Sequence, residues 1–175
     1  MTPLIRPSTE KDVSAIARIY AHYVETNTAT YELESSSQEE MASAREEILA
    51  LGLSYLVAEQ NGEVVGYSNA GHCRPRPGYR FTIEDSVYIH PECAGQGIGL
   101  ALLGALIEKC EQGPWRQMVA VIGDSANAAT IRLHKRHGFR RVGTLHAVEF
   151  KFDRWVDSLL IQRALGARNA ETAVR

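Results

Sequence analysis

The sequence predicts a mixed α/β fold with the element order β-α-α-β-β-β-α-β-α-β-β. Three observations predict this order. Apolar residues recur at helical spacing in some segments and form β-like runs in others. The pair Asn61-Gly62 joins two such β runs and indicates a hairpin. A glycine-rich turn then links a strand to a helix in mid-chain, which is typical of a β-α-β crossover to a parallel strand.

The N-terminal third is predicted to contain one short strand and two helices. The strand is expected at 4–6, and apolar residues at helical spacing predict helices over 13–24 and 37–51. Ser37 followed by Glu40 is a capping box at the start of the second helix. The segment between the helices is polar, and we expect it to form a loop.

Three consecutive antiparallel strands are expected next. The runs 55–60 and 63–71 flank the hairpin turn, whose two residues both tolerate a positive φ. The segment 73–79 contains two prolines and a glycine, so we expect a loop there. A long β run over 81–90 follows, and Pro91 ends it.

The second half of the chain carries the crossover and two final strands. We expect a helix over 97–111, an apolar strand over 117–122, a short helix over 127–137, and strands over 140–150 and 152–162. The apolar run 117–122 is typical of a strand buried in a parallel pair.

Composition sets limits on the class of protein. The chain has 175 residues, 45% hydrophobic and 23% charged, with a net charge of −2. We expect one domain over residues 1–165 and a frayed C-terminal tail over 166–175. The charge argues against a nucleic-acid partner held by basic residues, and no apolar run predicts a membrane span. We expect a cytoplasmic protein with three free cysteines, because no signal-peptide pattern precedes the fold.

The turn Gly95-Gln96-Gly97-Ile98-Gly99-Leu100 indicates a phosphate-binding site. Free N–H groups at a helix start and the helix dipole favour an anion, and glycines let the ligand approach the backbone. A P-loop is excluded because no Gly-Lys-Ser/Thr occurs, and the spacing differs from the dinucleotide fingerprint G-x-G-x-x-G. From the turn alone, a glycine-rich connection that only packs helix on strand remains open.

Two blocks resemble the GCN5-related N-acetyltransferase (GNAT) superfamily. The signature (Gln/Arg)-x-x-Gly-x-(Gly/Ala) matches at Gly97 and Gly99, although Ala94 stands at its first position. The segment 127–139 resembles the second block of the superfamily, from an Asn to a Gly-Phe pair. The segments 82–91 and 150–157 are similar to the phosphinothricin and methionine sulfone (sulfoximine) acetyltransferases of that superfamily.

The resemblance implies the GNAT fold, a mixed and mostly antiparallel central sheet flanked by helices, and acetyl-CoA as the cofactor. It implies that the backbone of one strand binds the pantetheine arm, that the glycine-rich turn binds the pyrophosphate, and that an Asn on the next helix contacts the cofactor. These cofactor-binding residues are Val87, Tyr88, Ile89, Gly95, Gln96, Gly97, Ile98, Gly99, Leu100 and Asn127.

Two catalytic residues are predicted. Strand alternation places Glu84, Ser86 and Tyr88 on one face, where partial burial would raise the pKa of the Glu84 carboxyl toward that of a useful base. The similar acetyltransferases have a glutamate proposed as base at this position. His134 stands where the superfamily usually has a tyrosine near the sulfur, which implies a general acid or proton relay. A solvent-facing Glu84 and a purely structural His134 are the alternatives.

The substrate implied is a small amino-acid-like amine, acetylated at its α-amine by direct attack in a ternary complex. Arg74 and Arg80 are predicted to bind its carboxylate, Glu84 to face its amine, and Tyr31 to form a pocket wall. A polyamine, an antibiotic or a protein amine is the alternative acceptor, and a non-catalytic acyl-CoA-binding sensor is the alternative class. No metal site is indicated. The resemblance implies a homodimer. Trp155 stands on a late predicted strand, and we expect it in the core or the subunit interface.

Overall fold

The computed structural model describes residues 2–166, so residues 167–175 of the predicted tail lie outside the described residues. The strands are β1 (Leu4–Pro7), β2 (Tyr55–Gln60), β3 (Glu63–His72), β4 (Thr82–Ile89), β5 (Gln117–Gly123), β6 (Arg140–Lys151) and β7 (Arg154–Ala164). The helices are α1 (Val13–Thr26), α2 (Gln38–Ala50), α3 (Ile98–Glu111) and α4 (Ala128–Arg136). The predicted order of elements is confirmed, and short 3-10 turns interrupt three of the loops.

The strands form one seven-stranded sheet in the order β1-β2-β3-β4-β5-β7-β6. All neighbours are antiparallel except β4 and β5, which pair in parallel, as the crossover through α3 requires. This parallel register covers only Thr82–Glu84 against Gln117–Val119. Beyond it the two strands diverge and leave an opening inside the sheet.

Helices cover both faces of the sheet. On one face, Ile16 and Ile19 of α1 pack against Tyr67 of β3. On the other face, α3 buries an apolar stripe against the sheet, including Leu102 and Leu106, which are fully buried. This burial follows from the helical spacing of the apolar residues in α3. Within the described part of the chain, no helix is long and apolar enough to cross a membrane.

The faces of β4 are those that strand alternation predicts. Ile83 and Asp85 are buried on the α3 side, whereas Tyr88 packs in the cluster on the α1 side. Trp155 lies on β7 with 65% of its surface exposed, so the alternative that placed it in the core is wrong.

Candidate active site

The opening between β4 and β5 exposes the backbone of β4. His90 donates its N–H to Val65 on β3 at 2.8 Å, and N–H directions alternate along a strand. The N–H and C=O groups of Val87 and Ile89 therefore point away from β3, toward the opening. Tyr23 of α1 donates to the Ile89 carbonyl at 2.8 Å, which confirms the direction of that residue. Val87 retains a backbone donor that can bind an extended ligand.

The glycine-rich turn lies at one end of this opening. Gly95 and Gly97 have φ values of 78° and 83°, which residues with a side chain adopt only with strain. Gly97 caps α3, so the first N–H groups of that helix have no partner inside the helix. An ideal Cβ on Gly97 would meet no atom within 4 Å, so the space beside this residue is open.

We call this space the glycine-rich cleft. Its walls include most of the predicted cofactor-binding residues: Val87, Ile89, Gly95, Gly97, Gly99, Leu100 and Asn127. Arg132 and Arg136 of α4 also line it, which the sequence analysis did not predict. Their guanidinium groups supply the positive charge that a phosphate-bearing ligand needs.

The other three predicted cofactor-binding residues have different surroundings. The Gln96 side chain donates to the Glu92 carbonyl at 3.4 Å, and Ile98 is buried in the core. Tyr88 points its ring toward Tyr20 and Tyr23 on α1. Any contact of these three residues with a ligand in the glycine-rich cleft would therefore have to come from their backbones.

A second space, which we call the inner cavity, adjoins the cleft on the other side of the opening. Glu84 from β4 and Tyr31 and Glu32 from the α1–α2 loop line it. Asn127 and His134 line both spaces. A molecule in the inner cavity would thus lie next to the end of a ligand that extends from the glycine-rich cleft along β4.

The surroundings of Glu84 give its carboxyl group a raised pKa, which suits a general base. Burial raises its pKa from 4.5 to about 7, the negative charge of Asp85 adds to this shift, and the positive charge of Arg74 opposes it. A carboxyl group with this pKa exchanges a proton readily near neutral pH. The expected partial burial of Glu84 is found.

His134 forms a buried pair with Asp85, which the sequence analysis did not anticipate. His134 Nε2 and Asp85 Oδ2 are 2.9 Å apart, and the two residues are only 3% and 6% exposed. Nδ1 of the same ring lies 2.8 Å from the Thr130 carbonyl and must donate to it. Burial lowers the pKa of His134, but the hydrogen bond and charge of Asp85 outweigh burial, so the net shift is upward.

The distance between His134 Nε2 and Asp85 Oδ2 requires a proton between the two atoms. A hydrogen bond between Nε2 and Oδ2 contains one proton, whichever of the two atoms carries it. Because both ring nitrogens are already engaged, His134 can give up that proton only by breaking its bond to Asp85. The other Asp85 oxygen, Oδ1, is buried without a hydrogen-bond partner among the described residues.

The residues predicted to select the substrate are only partly brought together. Tyr31 lines the inner cavity, and burial raises the pKa of its hydroxyl. Arg74 lines neither space, and its charge acts on Glu84 from outside the inner cavity. Arg80 instead contacts its own loop, where its guanidinium lies 4.6 Å from the Phe81 ring centroid and donates to the Pro77 carbonyl.

The sequence is similar to that of acetyltransferases. The model of the acetyltransferase (GNAT) family matches residues 16–139. A phosphinothricin N-acetyltransferase from Alcaligenes faecalis is 50% identical over 163 residues, which cover 93% of this chain and 83% of the relative. An L-methionine sulfoximine/L-methionine sulfone acetyltransferase from Salmonella typhimurium is 37% identical over 97% of this chain and 98% of the relative.

Solved structures agree with this similarity. A GNAT superfamily phosphinothricin acetyltransferase from Sinorhizobium meliloti, in complex with AcCoA, superposes with a TM-score of 0.94 and 40% identity. The match covers 100% of this chain and 94% of that one. A ribosomal-protein-alanine N-acetyltransferase from Brucella melitensis has a TM-score of 0.90 and 40% identity, covering 93% of this chain and 99% of that one.

Proposed function

The chain belongs to the acetyltransferase (GNAT) family, and on this premise we propose that it acetylates the α-amine of a small amino-acid-like substrate. Phosphinothricin, methionine sulfone and methionine sulfoximine are the lead acceptors. One observation carries the proposal. Glu84, with its raised pKa, lies in a cavity that adjoins the open edge of β4 and the glycine-rich cleft.

The residues around the cleft fit acetyl-CoA. The unpaired N–H groups at the start of α3, together with Arg132 and Arg136, suit phosphate oxygens. The N–H of Val87 on the open edge of β4 suits an amide carbonyl of an extended arm. When bound, acetyl-CoA supplies an activated thioester carbonyl and a thiol leaving group. The other groups that the reaction needs come from the chain itself.

Glu84 would act as the general base. An α-ammonium group must lose a proton before its nitrogen can attack a carbonyl carbon, and a carboxylate with a pKa of about 7 can accept that proton. Glu32 lines the same cavity and adds negative charge that would attract the ammonium. The charge of Arg74, which acts at Glu84, would also attract the carboxylate of the acceptor.

The His134–Asp85 pair would return a proton to the sulfur. The pair holds one proton in the wall that separates the inner cavity from the cleft. A thiolate has a pKa near 8.5, so it can accept a proton from an imidazolium group. The transfer would require His134 Nε2 to release Asp85, so the pair would act as a relay rather than as a permanently free acid.

A protein amine is the second candidate acceptor. The carboxylates of Glu32 and Glu84 line the inner cavity, and they would also suit an ammonium that has no neighbouring carboxylate. In addition, the structural relative from Brucella melitensis is a ribosomal-protein-alanine N-acetyltransferase.

The test is an acceptor panel with acetyl-CoA. It contains methionine sulfone, methionine sulfoximine, phosphinothricin, the common amino acids, spermidine and a peptide with an N-terminal alanine, and thiol release reports turnover. We expect turnover of the first three compounds and a large loss in the Glu84→Gln variant. Turnover of only the peptide or spermidine would overturn the proposed substrate. Tight acetyl-CoA binding without any turnover would identify a sensor.

We also propose that the protein is a homodimer. Phe150, Phe152 and Trp155 are at least half exposed on the β6–β7 hairpin, together with Leu145 and Val148. A soluble monomer rarely exposes neighbouring large apolar side chains of this kind. Sedimentation equilibrium should give twice the chain mass for the wild type and a monomer for Trp155→Ser. A monomeric wild type would refute the proposal.

A further inference from the structure

The loop between α1 and α2 lines both spaces of the site. Thr30, Tyr31 and Glu32 face the inner cavity, whereas Asn27 faces the glycine-rich cleft. A loop that lines an active site needs supports from outside itself, because its own backbone groups are not paired in a helix or sheet.

Two tyrosines support the loop from neighbouring elements. The Tyr20 hydroxyl on α1 and the Thr30 hydroxyl lie 2.8 Å apart, and the Tyr88 hydroxyl on β4 donates to the Ala29 carbonyl at 3.5 Å. Both tyrosines line the inner cavity, so these contacts belong to the site already described.

Lys151 supports the loop from a distant part of the chain. It is the last residue of β6, it is only 6% exposed, and its Nζ donates to the Thr30 carbonyl at 3.0 Å. Nζ also lies 5.2 Å from the ring centroid of Phe152. A buried ammonium group is costly unless it is paired, so its contact with the loop is a specific one.

The charges around Lys151 connect it to the inner cavity. Burial lowers the pKa of Lys151, and the negative charges of Glu149 and Glu32 oppose that shift. Glu32 lines the inner cavity, two residues after the carbonyl that Lys151 binds. Lys151 thus stabilises both the backbone of the loop and one of its charged side chains.

Gly123, at the end of β5, also supports this loop. An ideal Cβ at this position would lie 1.9 Å from the Thr28 carbonyl oxygen. That distance is far below any real contact, so the loop backbone rests directly on Gly123. A side chain here would displace Thr28 and the residues that follow it.

We propose that Lys151 and Gly123 are positioning residues for the acceptor, which hold the loop 27–32 so that Tyr31 and Glu32 face the inner cavity. The proposal rests on the proposed function, because it assigns the acceptor to that cavity. It gives a role to the lysine of the segment 150–157, which the reaction itself does not use.

Steady-state kinetics and binding measurements test the proposal, because it predicts a change in the KM of the acceptor without a change in the affinity for acetyl-CoA. In Lys151→Met, which keeps the length of the stem, we expect the KM of the acceptor to rise about tenfold, as for a lost hydrogen bond to a charged group. The dissociation constant of acetyl-CoA should change by less than about threefold, because Asn27, which lines the cleft, is held by its N–H bond to the Tyr23 carbonyl of α1. Lys151→Arg should recover part of the loss. Gly123→Ala should likewise raise the KM of the acceptor and leave the dissociation constant of acetyl-CoA nearly unchanged.

The matched control is Gly143→Ala. Gly143 lies on β6, and an ideal Cβ there meets no atom within 4 Å, so we expect wild-type kinetics. An equal rise in the acceptor and acetyl-CoA constants, or an unchanged acceptor KM in both Lys151→Met and Gly123→Ala, would overturn the proposal.

Hydrogen exchange keeps the test independent of turnover. Lys151→Met should accelerate amide exchange in a peptide spanning residues 27–34 about tenfold, while a peptide from α3 keeps its protection. Unchanged exchange in the loop would overturn the positioning role. If the loop is loosened but no acceptor on the panel reacts even with the wild type, the proposed function fails and the support of the loop stands.

Discussion

The strongest test of the proposed base changes the charges on either side of Glu84. The pKa of its carboxyl is about 7, because burial and the charge of Asp85 raise it and the charge of Arg74 lowers it. Asp85→Asn removes a negative neighbour and should move the pKa of Glu84 down. It also breaks the pair with His134, so the midpoint pH of the kcat/KM profile, and not the size of kcat/KM, reports on Glu84 in this variant. Arg74→Gln removes a positive neighbour and should move it up. The two variants therefore predict shifts of opposite sign.

The magnitude in the wild type follows from this pKa. The active form of a general base is the deprotonated one, so kcat/KM should rise with pH. A single group with a pKa of about 7 is about 9% deprotonated at pH 6 and about 91% deprotonated at pH 8, so the contribution of Glu84 to kcat/KM rises about tenfold. Loss of the proton from the His134–Asp85 pair would lower kcat/KM at the alkaline end of the profile. A carboxyl group with the ordinary pKa of 4.5 would give almost no change over the same range.

The assay is kcat/KM from about pH 5 to about pH 9 at constant ionic strength, followed by the loss of thioester absorbance. The acceptor amine also titrates, but its own pKa is the same with every variant, so only the difference between variants reports the enzyme. Glu84→Gln should lower kcat/KM by about 10² to 10⁴, and the rise in kcat/KM near pH 7 should disappear.

Three results would refute the assignment. The first is a rise in kcat/KM whose midpoint pH is unchanged in both Asp85→Asn and Arg74→Gln. The second is a midpoint pH that shifts in the same direction in both variants. The third is Glu84→Gln with a kcat/KM within about twofold of the wild type at its optimal pH, which no essential base would allow.

Three further predictions concern the fold and the cleft. Leu102→Ala, at a fully buried position of α3, should lower the free energy of unfolding by about 2–5 kcal/mol in urea titrations, and a loss below about 1 kcal/mol would contradict the packing. The hydrogen bonds from Arg6 hold the pKa of Asp12 at about 2, below 3.8, so its contribution is full above about pH 4 and is lost as the pH falls toward 2. Asp12→Asn should therefore cost about 1 kcal/mol at pH 7, after allowance for solvent around Arg6, and almost nothing at pH 2. Gly97→Ala should weaken acetyl-CoA binding at least about tenfold in calorimetric titrations, because the φ of 83° is strained for alanine and Gly97 lines the cleft.

Local features of the fold could be predicted from the sequence because their causes are local. The Asn61-Gly62 turn has φ values of 53° and 82°, as a tight hairpin requires. The cap at Ser37 accepts from the Glu40 N–H at 3.2 Å, and the Glu40 side chain accepts from the Ser37 N–H at 2.7 Å. Each pattern specifies its structure within a few residues.

Parts of the candidate site could not be predicted because they depend on long-range packing. Asp85 and His134 are 49 residues apart, and their contact exists only because α4 packs against the open edge of β4. Lys151 and Thr30 are 121 residues apart. Strand alternation placed Asp85 on the face opposite Glu84, but no local pattern indicated which side chain would meet it there.

The arginine loop shows a second limit of sequence reasoning. Arg74 and Arg80 have the same chemistry and lie in the same loop, so residue type alone could not separate them. The separation comes from the aromatic neighbour, because Phe81 offers Arg80 a ring on which the guanidinium can lie.

The short parallel register between β4 and β5 has a consequence for the stability of the whole protein. Among residues 2–166, the strand pairing that joins β1–β4 to β5–β7 is confined to Thr82–Glu84 and Gln117–Val119. An extended cofactor arm between these strands would complete the hydrogen bonding of the sheet. Binding would then add to the free energy of unfolding by mass action, by about 2.7 kcal/mol at a hundred times the dissociation constant. The melting temperature of the protein should therefore rise with the acetyl-CoA concentration, so thermal stability would report how much of the protein holds its cofactor.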